Sequence, residues 1–235
     1  YASEKPEPAR MLLEMDGAGF MPQGKVAILA APGGSGKTAL ATQLALSIAT
    51  GHPFLKNAIP ANAGPVAMLL GEEDETEVHR RLHGAADAMN LTTKDENGAD
   101  DVGELVIAGK NLLTLPLAGL PVRLAGQSQG EEVEKRLDDL CARLEAEIEA
   151  HKADGWSAII VDPLSRFGGV EMEISASEAT DTVIALERLT KLPGSPTVIC
   201  VHHTRKSGSK DHVAVDSVRG HSALKDAARW VAVIN

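Results

Sequence analysis

Short, mainly apolar runs punctuate this chain at Val26–Ala31, Val66–Leu70, Ala158–Val161, Thr197–Val201 and Trp230–Ile234. Runs of this length, bounded by glycine, proline or acids, read as strands buried on both faces. Between them lie stretches with helical spacing. One runs from Lys37 to about Thr50, closed by Gly51 and Pro53, and others cover 75–89, 131–152, 176–192 and 221–228. Within 131–152, Val133, Leu137, Leu140, Leu144 and Ile148 share one face while glutamates crowd the other, which reads as a packed face opposite a solvated one. Strands alternating with helices predict an α/β fold, a mostly parallel central sheet with helices on both faces. A short strand is also predicted at Leu105–Ala108. Residues 109–130, with Pro116, Gly119, Pro121 and Gly126, read as mostly loop, and 203–220 as a polar loop or hairpin. Residues 1–24, broken by Pro6, Pro8 and Pro22, are expected to be an irregular lead-in to one domain over 25–235. The chain stops inside its last predicted strand, so that domain is expected to be incomplete at its carboxyl end.

Composition narrows the function classes. Only 3% of the 235 residues are aromatic, so Ala, Leu, Ile and Val must fill the core. A net charge of −10 argues against a surface that coats nucleic acid everywhere, although a local basic strip stays compatible with it. Cys141 and Cys200 are far apart and in no C-x-x-C arrangement, so neither a disulfide framework nor a zinc site follows. With no signal peptide and no membrane-length apolar run, a cytoplasmic protein with no membrane partner is expected.

The segment Ala31-Pro32-Gly33-Gly34-Ser35-Gly36-Lys37-Thr38 joins the first strand to the first helix. This is the strand–loop–helix setting of a P-loop, the binding site for a nucleoside triphosphate. Glycines let backbone N–H groups turn toward phosphate oxygens, a Lys places charge on the outer phosphates, and a Thr hydroxyl ligates Mg²⁺. The start of the following helix adds its positive dipole end. ATP contacts are therefore expected from Pro32, Gly33, Gly34, Ser35, Gly36, Lys37, Thr38 and Ala39. The usual first glycine is Ala31 here, at the strand end and away from phosphate.

Asp162 closes the strand Ala158–Val161. In a parallel sheet the carboxyl ends of the strands face the ligand, so Asp162 is expected to hold Mg²⁺ with Thr38, the Walker B role. Pro163 follows it, not the glutamate that activates water in many such ATPases. Glu72, just after Val66–Leu70, is the expected base, with Glu73 in reserve; capping the next helix is the other reading for Glu73 and Asp74. His202 and His203 end the strand that begins at Thr197. His79 and His83 have i, i+4 spacing, but Arg80 stands where a zinc helix of the H-E-x-x-H kind carries its glutamate.

These pieces, in this order, resemble the RecA-like ATPases and most of all the RepA-type hexameric replicative helicases of broad-host-range plasmids. The resemblance covers about residues 20–235. It rests on the P-loop, Leu70-Gly71-Glu72-Glu73-Asp74 with His79-Arg80-Arg81-Leu82-His83, and Val161-Asp162-Pro163-Leu164-Ser165-Arg166-Phe167. Val201-His202-His203-Thr204-Arg205-Lys206, Val218-Arg219-Gly220-His221-Ser222 and Arg229-Trp230 complete it. It implies Glu72 as catalytic base, His203 as γ-phosphate sensor, and Arg229 and Arg219 as arginine fingers entering a neighbouring subunit's site. It places Arg81 against the adenine; a plain helix-face arginine is the other reading. It also implies a hexameric ring. Arg205, Lys206 and Lys210 lie in a basic loop, and with Arg166 they are expected to grip single-stranded DNA by its phosphates. With no aromatic cluster to stack bases, such binding would be sequence-independent. The competing readings are a RecA-fold ATPase of recombination or repair without unwinding activity, and a regulatory ATPase that assembles on protein partners.

Overall fold

Side chains of a strand point alternately to its two faces, so a strand apolar at every position must be covered on both. A computed structural model describes residues 8–94, 100–101, 108–126, 130–204 and 222–234. Its strands are β1 (Met11–Met15), β2 (Ala18–Pro22), β3 (Val26–Ala31), β4 (Ala58–Pro60), β5 (Val66–Leu70), β6 (Thr93–Lys94), β7 (Asp100–Asp101), β8 (Leu112–Pro116), β9 (Ala158–Asp162), β10 (Thr197–His203) and β11 (Trp230–Val233). The principal helices are α1 (Lys37–Thr50), α2 (Glu75–Ala88), α3 (Gly130–Ala150), α4 (Leu164–Phe167), α5 (Ala176–Leu189) and α6 (Ser222–Ala227). β3, β5 and β9 are buried at every residue.

The main sheet has six strands in the order β11-β3-β10-β9-β5-β8, and every pairing is parallel. Alternation divides its side chains between two cores. Ala67, Leu69, Ile159, Val161, Val198 and Cys200 pack with Leu137, Leu144 and Ile148 of α3 and Ala185, Leu186 and Leu189 of α5. Ala27, Leu29, Met68, Leu70, Ile160, Ile199 and Val201 pack with Leu44, Ala45 and Ile48 of α1. The expected α/β architecture, helices on both faces of a parallel sheet, is the one observed.

Two expectations are corrected. The described part of the lead-in, from residue 8 on, is not irregular: β1 and β2 form an antiparallel hairpin across Asp16-Gly17, and β4 joins them in a three-stranded sheet. Leu12, Leu13 and Met21 of that hairpin are buried against the α1 face of the main sheet. The stretch 109–130, expected to be mostly loop, also contains a strand. Leu112–Pro116 is the edge strand β8, paired with β5, and Pro116 is tolerated because it ends an edge strand. The strand predicted at Leu105–Ala108 lies outside the described residues over 105–107, and Ala108 is helical. Among the described residues no helix is long and apolar enough to cross a membrane.

Candidate active site

The carboxyl ends of β3, β10, β9 and β5 lie side by side in that order, and each leads into residues singled out by the sequence. β3 runs into the glycine loop. Gly34 and Gly36 have φ of 75° and 83°, a left-handed backbone that glycine adopts without steric cost. A Cβ placed on Gly33, Gly34 or Gly36 would meet no atom within 4 Å, so the space against the loop is open. Gly36 caps α1 without a side-chain bond, which leaves the first-turn N–H groups, including that of Ala39, to an outside acceptor. Lys37 is 7% exposed and its Nζ donates to Pro32 O at 2.8 Å. Ser35 Oγ donates to the same carbonyl at 2.7 Å. Burial lowers the Lys37 pKa, and the nearby charges of Asp162 and Glu72 oppose that shift.

Asp162 ends β9, one strand removed from β3. It is 3% exposed, and its peptide with Pro163 is cis. The Thr38 side chain hydrogen-bonds to it. Its Oδ2 is buried with no hydrogen-bond partner among the described residues. Burial raises the Asp162 pKa; Glu72 adds to the rise, while the Thr38 bond, Lys37 and Arg81 counter it. A buried carboxylate oxygen without a partner, beside a hydroxyl and a lysine, suits a hard cation that takes oxygen ligands and carries waters. Thr38 and Asp162 therefore fit Mg²⁺.

β5 pairs Leu70 with Asp162, and Gly71 N donates to Asp162 O at 2.8 Å. A Cβ on Gly71 would lie 3.0 Å from Arg166 Cβ and 3.1 Å from Phe167 Cε2, so only glycine lets the chain pass under α4 without a shift. Glu72 is thereby delivered, exposed, beside Asp162 and Lys37. Glu73 turns inward and is 8% exposed. Its pKa is raised first by burial and then by Asp162, against the opposing charge of Arg81. Asp74 does cap a helix: its Oδ1 accepts from Glu77 N at 2.9 Å. Arg81 Nε lies 2.9 Å from Glu77 Oε1 and its Nη2 3.7 Å from Glu73 Oε1.

β10 lies between β3 and β9. His203 pairs with Ala31, so it stands next to the entry to the glycine loop, and His202 is fully buried. Arg166 is exposed on α4. Arg229 is at the opposite end of the sheet, where its N–H bonds to Val26 O at the start of β3, in a 210 Å³ groove with Lys25, Glu187 and Lys191. It cannot reach the glycine loop of its own molecule. Arg205, Lys206, Lys210 and Arg219 lie outside the described residues. The link between Arg81 and Glu73 was not foreseen from sequence, because it depends on how α2 sits against the end of β5.

A glycine loop between a central parallel strand and a helix, with Lys37, Thr38 and a strand-end Asp162, defines a P-loop nucleoside triphosphatase with a RecA-like fold. The family described as "AAA domain" matches residues 2–209, and the chain belongs to it. Its structure resembles that of a KaiC-like protein from the hyperthermophilic archaeon Pyrococcus horikoshii OT3, with a TM-score of 0.52 and 16% identity over 96% of this chain and 81% of that one. At that identity the likeness is one of fold. Family and fold together make the protein an ATPase of the RecA-like group.

Proposed function

We propose that this ATPase is a helicase or translocase of the RepA type, acting as a hexameric ring on single-stranded DNA in replication. The observation that carries the reading is the packing of Arg166 on Gly71. An exposed cation suited to DNA phosphates leans on the residue before the expected base Glu72, so strain at one would be felt at the other. Arg229 supports the ring, since only a neighbouring subunit's site could receive it.

In this reading the N–H groups of residues 33–39 hold the phosphates of ATP. Lys37 exchanges Pro32 O for the outer phosphates. Thr38 and Asp162 hold Mg²⁺, which when bound neutralises charge on the phosphate oxygens. Glu72 orients the attacking water and accepts its proton. His203 contacts the γ-phosphate and passes its loss to the chain beyond Thr204, where Arg205, Lys206 and Lys210 contact DNA with Arg166. Arg229 and Arg219 complete a neighbour's site. The net charge of −10 favours a second reading, a regulatory ATPase acting on protein partners.

Strand displacement from a forked duplex tests the proposal. ATP-dependent release of one strand is expected. DNA-stimulated hydrolysis without release would leave a recombination-type ATPase, and hydrolysis indifferent to DNA would favour the protein-partner reading.

A further inference from the structure

The residue behind Glu72 has a partner that the mechanism above does not use. Arg81, in the second turn of α2, bridges Glu77 Oε1 at 2.9 Å and Glu73 Oε1 at 3.7 Å. The Glu77 pair is partly exposed and on its own is worth little. Glu73 is different. Its side chain is 9% exposed, and a carboxylate that deep must have both oxygens satisfied. Oε1 faces Arg81, while Oε2 is buried with no hydrogen-bond partner among the described residues.

Asp162 presents the same situation, with Oδ2 buried and unpartnered. The two carboxylates are electrostatic neighbours, and Asp162 is the strongest charge acting on Glu73. Two buried like charges, each with an unsatisfied acceptor, are costly unless a cation and its donors lie between them. Thr38, which hydrogen-bonds to Asp162, would share in holding that cation. A water on the metal would supply the donor that Glu73 Oε2 lacks.

We infer that Glu73 is an outer carboxylate of the Mg²⁺ site, accepting from a metal-bound water through Oε2, and that Arg81 is a positioning residue that holds Glu73 in place through Oε1. This rests on the ATPase site alone and not on DNA. It separates the two adjacent glutamates: Glu72 faces the attacking water, and Glu73 faces the metal. Outer partners of this kind commonly change metal affinity about 10- to 100-fold.

Mn²⁺ binding to the protein–ADP complex, followed by electron paramagnetic resonance, tests the assignment. A fluorescent ADP analogue titrated in EDTA gives the metal-free affinity. Glu73→Gln and Arg81→Ala are expected to weaken Mn²⁺ about tenfold and leave ADP binding in EDTA unchanged. Arg81→Lys, which keeps a charge near Oε1, is expected to recover most of the loss. Wild-type Mn²⁺ affinity in Glu73→Gln would overturn the role of Glu73. Equal losses of ADP affinity with and without metal in Arg81→Ala would place that arginine on the nucleotide and overturn its positioning role. Thermal melting identifies any variant that fails to fold. Glu73→Asp, which withdraws the carboxylate by one methylene, then stands in for Glu73→Gln with the same expected loss. For a misfolded Arg81→Ala, Arg81→Gln is read in its place.

Discussion

Glu72 is exposed and Glu73 is buried, although one peptide bond separates them. The difference comes from Gly71, whose N–H is tied to Asp162 O and whose α-carbon leaves no room for a side chain beneath Arg166. Glu72→Gln keeps the shape and removes the proposed base. It is expected to lower kcat by about 10² or more while ATP binding persists, checked by steady-state hydrolysis beside nucleotide titration. Asp162 allows a prediction with an unusual sign. Its pKa is raised, chiefly by burial, so the folded state holds the proton more tightly than the unfolded chain does. The resulting stability is fully present below the unfolded value and is lost as pH rises through the folded value. At neutral pH the ionised carboxylate therefore weakens the metal-free fold. Asp162→Asn is expected to raise the metal-free melting temperature at pH 7, to lose that advantage in acid, and to abolish hydrolysis. Melting curves across pH read the first two effects, and a metal-free variant that melts below wild type at pH 7 would refute them.

Whole elements depend on close approaches as much as on apolar pattern. Gly194 has φ of 87°, and a Cβ there would stand 2.5 Å from Trp156 O, where Trp156 N bonds to Pro193 O at 2.8 Å. That contact fastens the turn before β10 to the turn before β9. Gly194→Ala is expected to destabilise the fold by about 2 kcal/mol or more, measured by urea unfolding. The strands carrying the site were legible because each is an unbroken apolar run ending in a chemical signal: β3 before the glycine loop, β9 before Asp162, β5 before Glu72. β10 ends at His202 and His203, as their place after an apolar run implies, and pairing with Ala30 and Ala31 of β3 holds them in the strand despite their polarity. The β1–β2 hairpin was missed although Asp16-Gly17 is a strong turn signal, with φ of 52° and 76°. Pro6, Pro8 and Pro22 around it are breaker signals that compete with the turn. β8 was missed because its apolar run leads straight into Pro116. The pairing of Arg81 with Glu73 had no signal along the chain, since it arises only when α2 docks.

The whole molecule separates its cations. Arg166 stands on the carboxyl face of the sheet beside the glutamates, and Arg229 at the amino end near the start of β3. Six strands at about 3.3 Å per residue put these ends a full strand length apart. In the proposed ring Arg229 would serve a neighbouring copy's site, since it lies a strand length from its own glycine loop. Particle mass in the presence of Mg²⁺ and a non-hydrolysable ATP analogue is expected to be six times that of one chain. Arg229→Ala is expected to reduce hydrolysis by about 10³ without loss of nucleotide binding. A monomer of full activity would exclude the shared site. The most direct measurement is the steady-state rate of ATP hydrolysis with and without saturating single-stranded DNA of mixed sequence. A severalfold rise, saturable and weakened by salt, is expected from coupling through Arg166 and Gly71 to Glu72. An unchanged rate at DNA concentrations where binding is demonstrated would contradict it.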